Sequence, residues 1–155
     1  MHMKELNLPP YDFRIKKTDG QVRIFDGIRG KYVALTPEEW VRQHFVHFLI
    51  EHKHVPAGLI SLERTIAVNT MSRRPDILIY DRKGVPVMII ECKAPEIKVS
   101  QAAFDQVARY NAAMRVPYLV VTNGLDHYCC RMEFMKNSYT FLEEIPEYAV
   151  MTAGR

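Results

Sequence analysis

Arg74-Pro75-Asp76-Ile77-Leu78-Ile79-Tyr80, a turn at Asp81-Arg82-Lys83-Gly84, then Pro86-Val87-Met88-Ile89-Ile90-Glu91-Cys92-Lys93: this stretch decides the fold. Two short runs rich in Ile and Val, bounded by turn residues, predict an antiparallel hairpin. With Lys83-Gly84 as the loop and Arg82 facing Val85, Asp76 falls opposite Glu91. A four-residue loop from Arg82 to Val85 gives the same register. Directly opposed residues hold their Cβ atoms roughly 4.5–5.5 Å apart. Lys93 follows Glu91 by two residues and leaves the same strand face. A one-residue slip would send Asp76 and Glu91 to opposite faces. Both faces are apolar, with Ile77 and Ile79 on one and Leu78, Val87 and Ile89 on the other, so the hairpin is expected to be central and covered on both sides.

Charged side chains inside such runs need a partner or a metal. A cross-strand ion pair with Lys93 is the plain alternative, but two facing acids repel unless a cation or proton intervenes. Two carboxylates and an ammonium held together on a sheet can bind a divalent cation and activate water, and that chemistry cuts phosphodiesters.

Working outward, Thr36-Pro37-Glu38-Glu39 opens a helix that should run to about Lys53. Thr caps it, Pro takes the first position, acids fill the first turn, and Glu39 completes a capping-box spacing. Val41, Phe45, Phe48 and Leu49 form its apolar stripe. Leu59–Val68 is expected as a strand before the hairpin. A second helix is expected over Ser100–Met114, stopped by Pro117. Pro117–Thr122 is expected as a buried strand closed by Asn123-Gly124, with further strands over His127–Phe134 and Tyr139–Ile145. Before residue 36, Phe13–Lys16 and Gln21–Phe25 suggest a small hairpin about Thr18-Asp19-Gly20. The predicted organisation is an N-terminal extension over 1–35, one domain over 36–146 and a loose tail over 147–155. The predicted fold class is α/β (α+β): a mixed β-sheet flanked by helices with an αβββαβ core.

The 155 residues are 48% hydrophobic and 25% charged, as in an ordinary globular domain, and the net charge of +3 permits a nucleic-acid partner without demanding one. Three cysteines, two of them adjacent, give no disulfide framework. No apolar run has the length of a membrane span, and Met1-His2-Met3-Lys4 does not open a signal peptide. A cytoplasmic protein with no membrane partner is expected.

The order of elements, with Pro75-Asp76 and Glu91-Cys92-Lys93 in these places, resembles the PD-(D/E)xK nuclease superfamily, and more closely the N-terminal nuclease domain of type I restriction enzyme R (HsdR) subunits. The resemblance covers about Thr36 to Phe134. It is carried by Pro37-Glu38-Glu39-Trp40-Val41-Arg42-Gln43, Arg74-Pro75-Asp76, Ile90-Glu91-Cys92-Lys93, Gln106-Val107-Ala108-Arg109-Tyr110 and Thr122-Asn123-Gly124. It implies a restriction-endonuclease-like fold and Mg²⁺-dependent cleavage of DNA, with Mn²⁺ able to substitute. It assigns Asp76, Glu91 and the Cys92 carbonyl to the metal, with the Cys92 thiol on the opposite face. Lys93 is assigned to catalysis. A first-helix acid would complete the site; Glu38 is preferred over Glu39 because it shares the face of Val41, Phe45 and Leu49. Gln106 and Tyr110, four apart on one helix face, would orient Lys93 or a DNA phosphate. The resemblance also makes other restriction-modification subunits candidate partners, although no Gly-Lys-Ser/Thr phosphate loop is present.

Arg73 and Arg74 precede Asp76 at the mouth of this site, and Arg109, with Lys98 and Arg115, adds positive charge that could meet phosphates. His44 and His47 share a helix face, but no cysteine or carboxylate at ligand spacing supports a closed zinc site there. Cys129 and Cys130 alternate across a strand as small core residues. Two other readings stand beside DNA cleavage: a non-catalytic nucleic-acid-binding or interaction module on the same fold, and a metal-dependent enzyme acting on RNA or small phosphate esters.

Overall fold

A computed structural model describes residues 3–64, 66–68 and 71–155; for residues 66–68, 71–73 and 110 it describes the backbone alone. In chain order the elements are β1 (Ile15–Thr18), β2 (Gln21–Asp26), β3 (Lys31–Ala34), α1 (Pro37–His52), β4 (Ile60–Leu62), β5 (Ile66–Val68), β6 (Met71–Arg73), β7 (Ile77–Tyr80), β8 (Pro86–Cys92), α2 (Gln101–Met114), β9 (Tyr118–Thr122), β10 (His127–Glu133), β11 (Ser138–Leu142) and α3 (Tyr148–Met151).

Among the described residues the main sheet has six strands in the order β11-β10-β9-β8-β7-β4. Its β8–β9 pair is parallel and the other pairs are antiparallel. The parallel pair follows from α2, whose crossover brings the chain back to start β9 beside β8. The expected αβββαβ core is therefore present as α1, β4, β7, β8, α2 and β9. Sheet alternation splits the interior into two layers. Ile77, Ile79, Ile90 and Cys129 pack with Val41, Phe45 and Leu49 of α1. Leu78, Ile89, Leu119 and Cys130 pack with Phe104 and Val107 of α2.

Over Ile77–Ile79 the hairpin has the expected register, although the turn is built differently from the expectation. Ile77 pairs with Ile90, Leu78 with Ile89 and Ile79 with Met88, and the paired ladder ends there, one residue short of Asp76 and Glu91. At the turn, however, Tyr80 pairs with Pro86, and the register shifts between Ile79 and Tyr80. Asp81 closes the turn by accepting from the Lys83 and Val85 N–H groups through Oδ1, both at 2.9 Å. The extra residue is absorbed as a β-bulge, which explains why Val87 joins Met88 in the α1-side core rather than the α2 side.

Both long helices begin as their caps predict. Thr36 Oγ1 accepts from Glu39 N at 3.0 Å, and Ser100 Oγ accepts from Ala103 N at 3.1 Å. The Asn111 side chain binds both the N–H and the C=O of Val116, and Arg115 takes φ +57°, which ends α2 before Pro117.

Three expectations need correction. The strand expected over Leu59–Val68 is interrupted after Leu62, where Glu63 adopts φ +51°; residue 65 lies outside the described residues, and β5 pairs instead with β6. The N-terminal hairpin exists as β1–β2 but gains a third strand, because the Asp26 carboxylate caps the Ile28 and Arg29 N–H groups and folds the chain back into β3. The segment from 147 is not loose. Tyr148 and Met151 are buried in the α1-side core, Tyr148 N donates to Lys53 O at 2.8 Å, and the Tyr148 hydroxyl donates to Tyr80 O at 3.0 Å.

Residues 4–7 form a strap across one end of the sheet. The Trp40 indole donates to Lys4 O at 2.8 Å, Asn7 N donates to Gly124 O at 2.8 Å, and His127 Nε2 lies 2.9 Å from Asn7 O. Because a carbonyl only accepts, His127 Nε2 donates to Asn7 O, and Nδ1 lies 2.6 Å from the Thr122 hydroxyl. No helix among the described residues is long and apolar enough to cross a membrane.

Candidate active site

Asp76 and Cys92, two of the expected site residues, meet where β8 ends. Asp76, just before β7, is 9% exposed. Its Oδ2 accepts from Cys92 N at 2.7 Å and its Oδ1 from Arg42 Nη2 at 2.8 Å. In an extended strand the N–H and C=O of one residue leave toward the same neighbour. The Cys92 carbonyl is therefore directed to the Asp76 side, while the next N–H, that of Lys93, turns the other way and donates to Thr122 O at 2.8 Å. The Cys92 thiol lies in the α1-side core, opposite to Glu91 by alternation. Burial first, and then the Asp76 charge, push its pKa well above the ordinary thiol value, so that side chain is neutral.

The turn after β9 supports this end of the sheet. Asn123 Oδ1 accepts from Leu125 N and Asp126 N at 2.9 and 2.8 Å, and its Nδ2 donates to Ile97 O at 2.8 Å. The turn thus anchors the loop that leaves Lys93.

The two helix-start acids separate clearly. Glu39 is buried and held by three side chains: Arg42 Nη1 at 2.7 Å, Arg29 Nη2 at 2.9 Å and Gln43 Nε2 at 3.1 Å. The capping box is consequently half made, since the Glu39 carboxylate serves these partners instead of reaching back. The Glu38 side chain is 47% exposed and meets Arg42 Nη2 at 2.9 Å. Burial and the nearby Asp76 charge raise the Glu38 pKa, while Arg42 and Lys93 pull it down. Glu38, Asp76 and Lys93 therefore share one electrostatic neighbourhood, and Glu91 and Asp76 both act on Cys92.

Sequence reasoning overlooked the centre of this arrangement. Arg42, with a side chain only 4% exposed, reaches Glu38, Glu39, Glu63 and Asp76 at 2.9, 2.7, 3.1 and 2.8 Å. Arg29, from the turn between β2 and β3, reaches Asp26, Glu39 and Glu63. Five carboxylates thus meet the guanidinium groups of Arg29 and Arg42. The signal for Arg42 was available, as it stands three and four residues after Glu39 and Glu38 on one helix. Glu63 and Arg29 gave no local signal; they arrive through the kink at 63 and the fold of the N-terminal sheet.

Other expected residues are placed differently. Arg74 is exposed, 3.7 Å from Glu63, and so stands at the mouth of the cluster. Arg109 is exposed and lines a groove with Asp105, Met132 and Tyr139 beside β11, away from Asp76. Arg115 stacks its guanidinium on Phe134, 4.6 Å from the ring centre. Gln106 is exposed on α2 and makes no hydrogen bond among the described residues. The side chains of Arg73 and Tyr110 lie outside the described residues. His44 sits in an aromatic box with Trp40 and Phe13 at 4.3 and 4.7 Å between ring centres, and burial lowers its pKa.

The residues fit a hard cation. Carboxylates and a peptide carbonyl are oxygen donors of the kind Mg²⁺ and Mn²⁺ select. Each Asp76 oxygen has one hydrogen bond and keeps lone-pair capacity. Among the described residues no three His, Cys, Asp or Glu side chains converge as a metal-ligand group.

Comparison with known proteins places this geometry in a family context. A family model described as "Type I restriction enzyme R protein N terminus (HSDR_N)" matches residues 37–146. A solved fragment provisionally assigned as the HsdR subunit of a type I restriction enzyme from Vibrio vulnificus YJ016 is 18% identical, with a TM-score of 0.48 over 73% of this chain and 24% of that one. The present chain thus spans about a quarter of that fragment's length. A protein from Anabaena variabilis ATCC 29413, provisionally assigned as a nuclease of the DUF820 group, is 14% identical, with a TM-score of 0.47 over 83% of this chain and 80% of that one. No curated protein gives a significant match.

Proposed function

Because the chain belongs to the family of type I restriction enzyme R protein N termini, we propose that it is a Mg²⁺-dependent endonuclease that hydrolyses DNA phosphodiesters. The observation that carries this reading is the docking of the Asp76 carboxylate on the Cys92 peptide at 2.7 Å, with Glu91 and Lys93 on either side of Cys92. Asp76, Glu91 and the Cys92 carbonyl are the residues that would hold the ion, with Glu38 joining through water. Bound there, Mg²⁺ supplies Lewis-acid stabilisation of the phosphate and a water of lowered pKa. Lys93 orients the attacking water and offsets charge that builds on the phosphate oxygens. Arg74, exposed beside Glu63, receives the DNA backbone, as does Arg73. Gln106 and Tyr110 are assigned the positioning of Lys93 or of a phosphate once DNA is bound. Other restriction-modification subunits are the partner class that the family supports.

The test is nicking of supercoiled plasmid with Mg²⁺ or Mn²⁺. Lys93→Ala and Asp76→Ala should each lower the rate by at least about 100-fold, the scale of losing one charge-stabilising group. Nicking retained by both variants overturns the assignment. The grip of Arg42 on Asp76 and Glu38 favours a second reading, a DNA-binding module without catalysis. Tight DNA binding in EDTA with no cutting after Mg²⁺ or Mn²⁺ is added would select it.

A further inference from the structure

We infer that Arg42 is the resident counter-cation of this site: in the ion-free protein its guanidinium takes the place that a divalent ion's charge fills in the loaded one. The inference rests on the metal-site reading above.

The geometry is that of one cation shared by too many anions. Four carboxylates from three chain segments, Glu38 and Glu39 of α1, Glu63 after β4 and Asp76 before β7, lie within 3.1 Å of Arg42 Nη1 or Nη2. Arg42 Nε, by contrast, is buried with no hydrogen-bond partner. The guanidinium is turned so that both Nη groups serve acids while its third nitrogen goes unpaired, an orientation imposed by the carboxylates. An unpaired buried donor is costly, so the electrostatic gain at the Nη groups must exceed that cost. Arg29 relieves part of the load through Glu39 and Glu63. The cluster still carries more carboxylates than guanidiniums, and buried negative charge without a balancing cation is unfavourable. Glu38, Glu63 and Asp76, the three most exposed of these acids, are all on Arg42 Nη2. A divalent ion entering there takes over the charge balance that Arg42 provides.

Mn²⁺ binding to the whole chain, read as the rise in melting temperature with ion concentration, tests this. Wild type should show a rise that Asp76→Asn abolishes. Arg42→Gln should melt lower than wild type without the ion and bind Mn²⁺ at least about tenfold tighter. A tenfold gain is 1.4 kcal/mol, or about 3–6 °C of extra rise for a chain of this size. Arg42→Lys restores one positive charge without the fork, so its rise should fall between the two. If Arg42→Gln does not fold, Arg42→Lys decides alone by showing a larger rise than wild type. A rise in the Arg42 variants equal to or below that of wild type, with Asp76→Asn still abolishing it, overturns the counter-cation while leaving the metal site intact. No rise in any protein, or a rise that survives Asp76→Asn, overturns the metal site and the counter-cation with it.

Discussion

Gly124→Ala should be among the most damaging single-methyl additions to this chain. Gly124 holds φ +85°, and an added Cβ would lie 2.8 Å from Leu6 Cδ2 and 3.1 Å from both Leu6 Cδ1 and Val41 Cγ2. Left-handed backbone costs a non-glycine residue about 1–2 kcal/mol. Overpacking a filled interior adds about 1–3 kcal/mol. The expected loss is therefore about 2–5 kcal/mol, or about 4–20 °C in melting temperature. Urea unfolding followed through the single tryptophan, Trp40, measures it directly, because that indole anchors the same N-terminal strap at Lys4 O. The source of the loss can be separated. Leu6 is buried, and Leu6→Ala alone should cost about 2–5 kcal/mol. It also removes both δ carbons that the new methyl would strike, so the double variant should lose less than the two singles together by about 0.5–3 kcal/mol. A Gly124→Ala protein within about 0.5 kcal/mol of wild type, or a double variant that is strictly additive, refutes the reasoning.

Two further outcomes follow from the same coordinates. Val85 and Lys83 N–H groups, with Arg155, hold the Asp81 carboxyl below the usual carboxylate range. A depressed carboxylate stabilises the fold above its unfolded pKa and ceases to as pH falls through the folded value. Asp81→Asn should therefore lower the melting temperature at neutral pH, with the gap to wild type closing in acid, and a pH-independent gap would contradict this. Burial pushes the Cys129 and Cys130 thiols up to about 12, and the Cys92 thiol is raised as well. A thiol-disulfide reagent at neutral pH should find no fast thiol in the native protein and three after denaturation. Rapid native labelling at Cys92 would mean that the sheet end is open.

The fold was legible wherever pattern alone sets position. The runs Ile77–Tyr80 and Pro86–Cys92 fix their own pairing, and the Thr36 and Ser100 caps fix both helix starts. Sequence could not show the bulge at Val87, because β8 is apolar on both faces and a local shift moves one Val between two equally oily layers. Glu63 carries no left-handed signal of its own, so the kink that ends β4 was hidden. Tyr148 and Met151 are too few to form a period, and their burial depends on a groove supplied by other elements. In the site, Asp76, Glu91 and Lys93 stood out as charges in apolar runs. Arg42 did not stand out, because Arg on a helix three and four residues after acids usually marks a solvated face. Only the packed position of α1 turns it inward.

The strap has a kinetic consequence. Asn7 takes its partners from Leu125 and His127, positions 118 and 120 residues further along. During synthesis at about 5–20 residues per second, those partners emerge from the ribosome about 6–24 s after Asn7 does. The short β1–β2 hairpin has no such wait, since hairpins close in about 1–10 μs. Asn7 is thus secured long after it is made, and until the β9–β10 turn appears the nascent chain must leave it undocked.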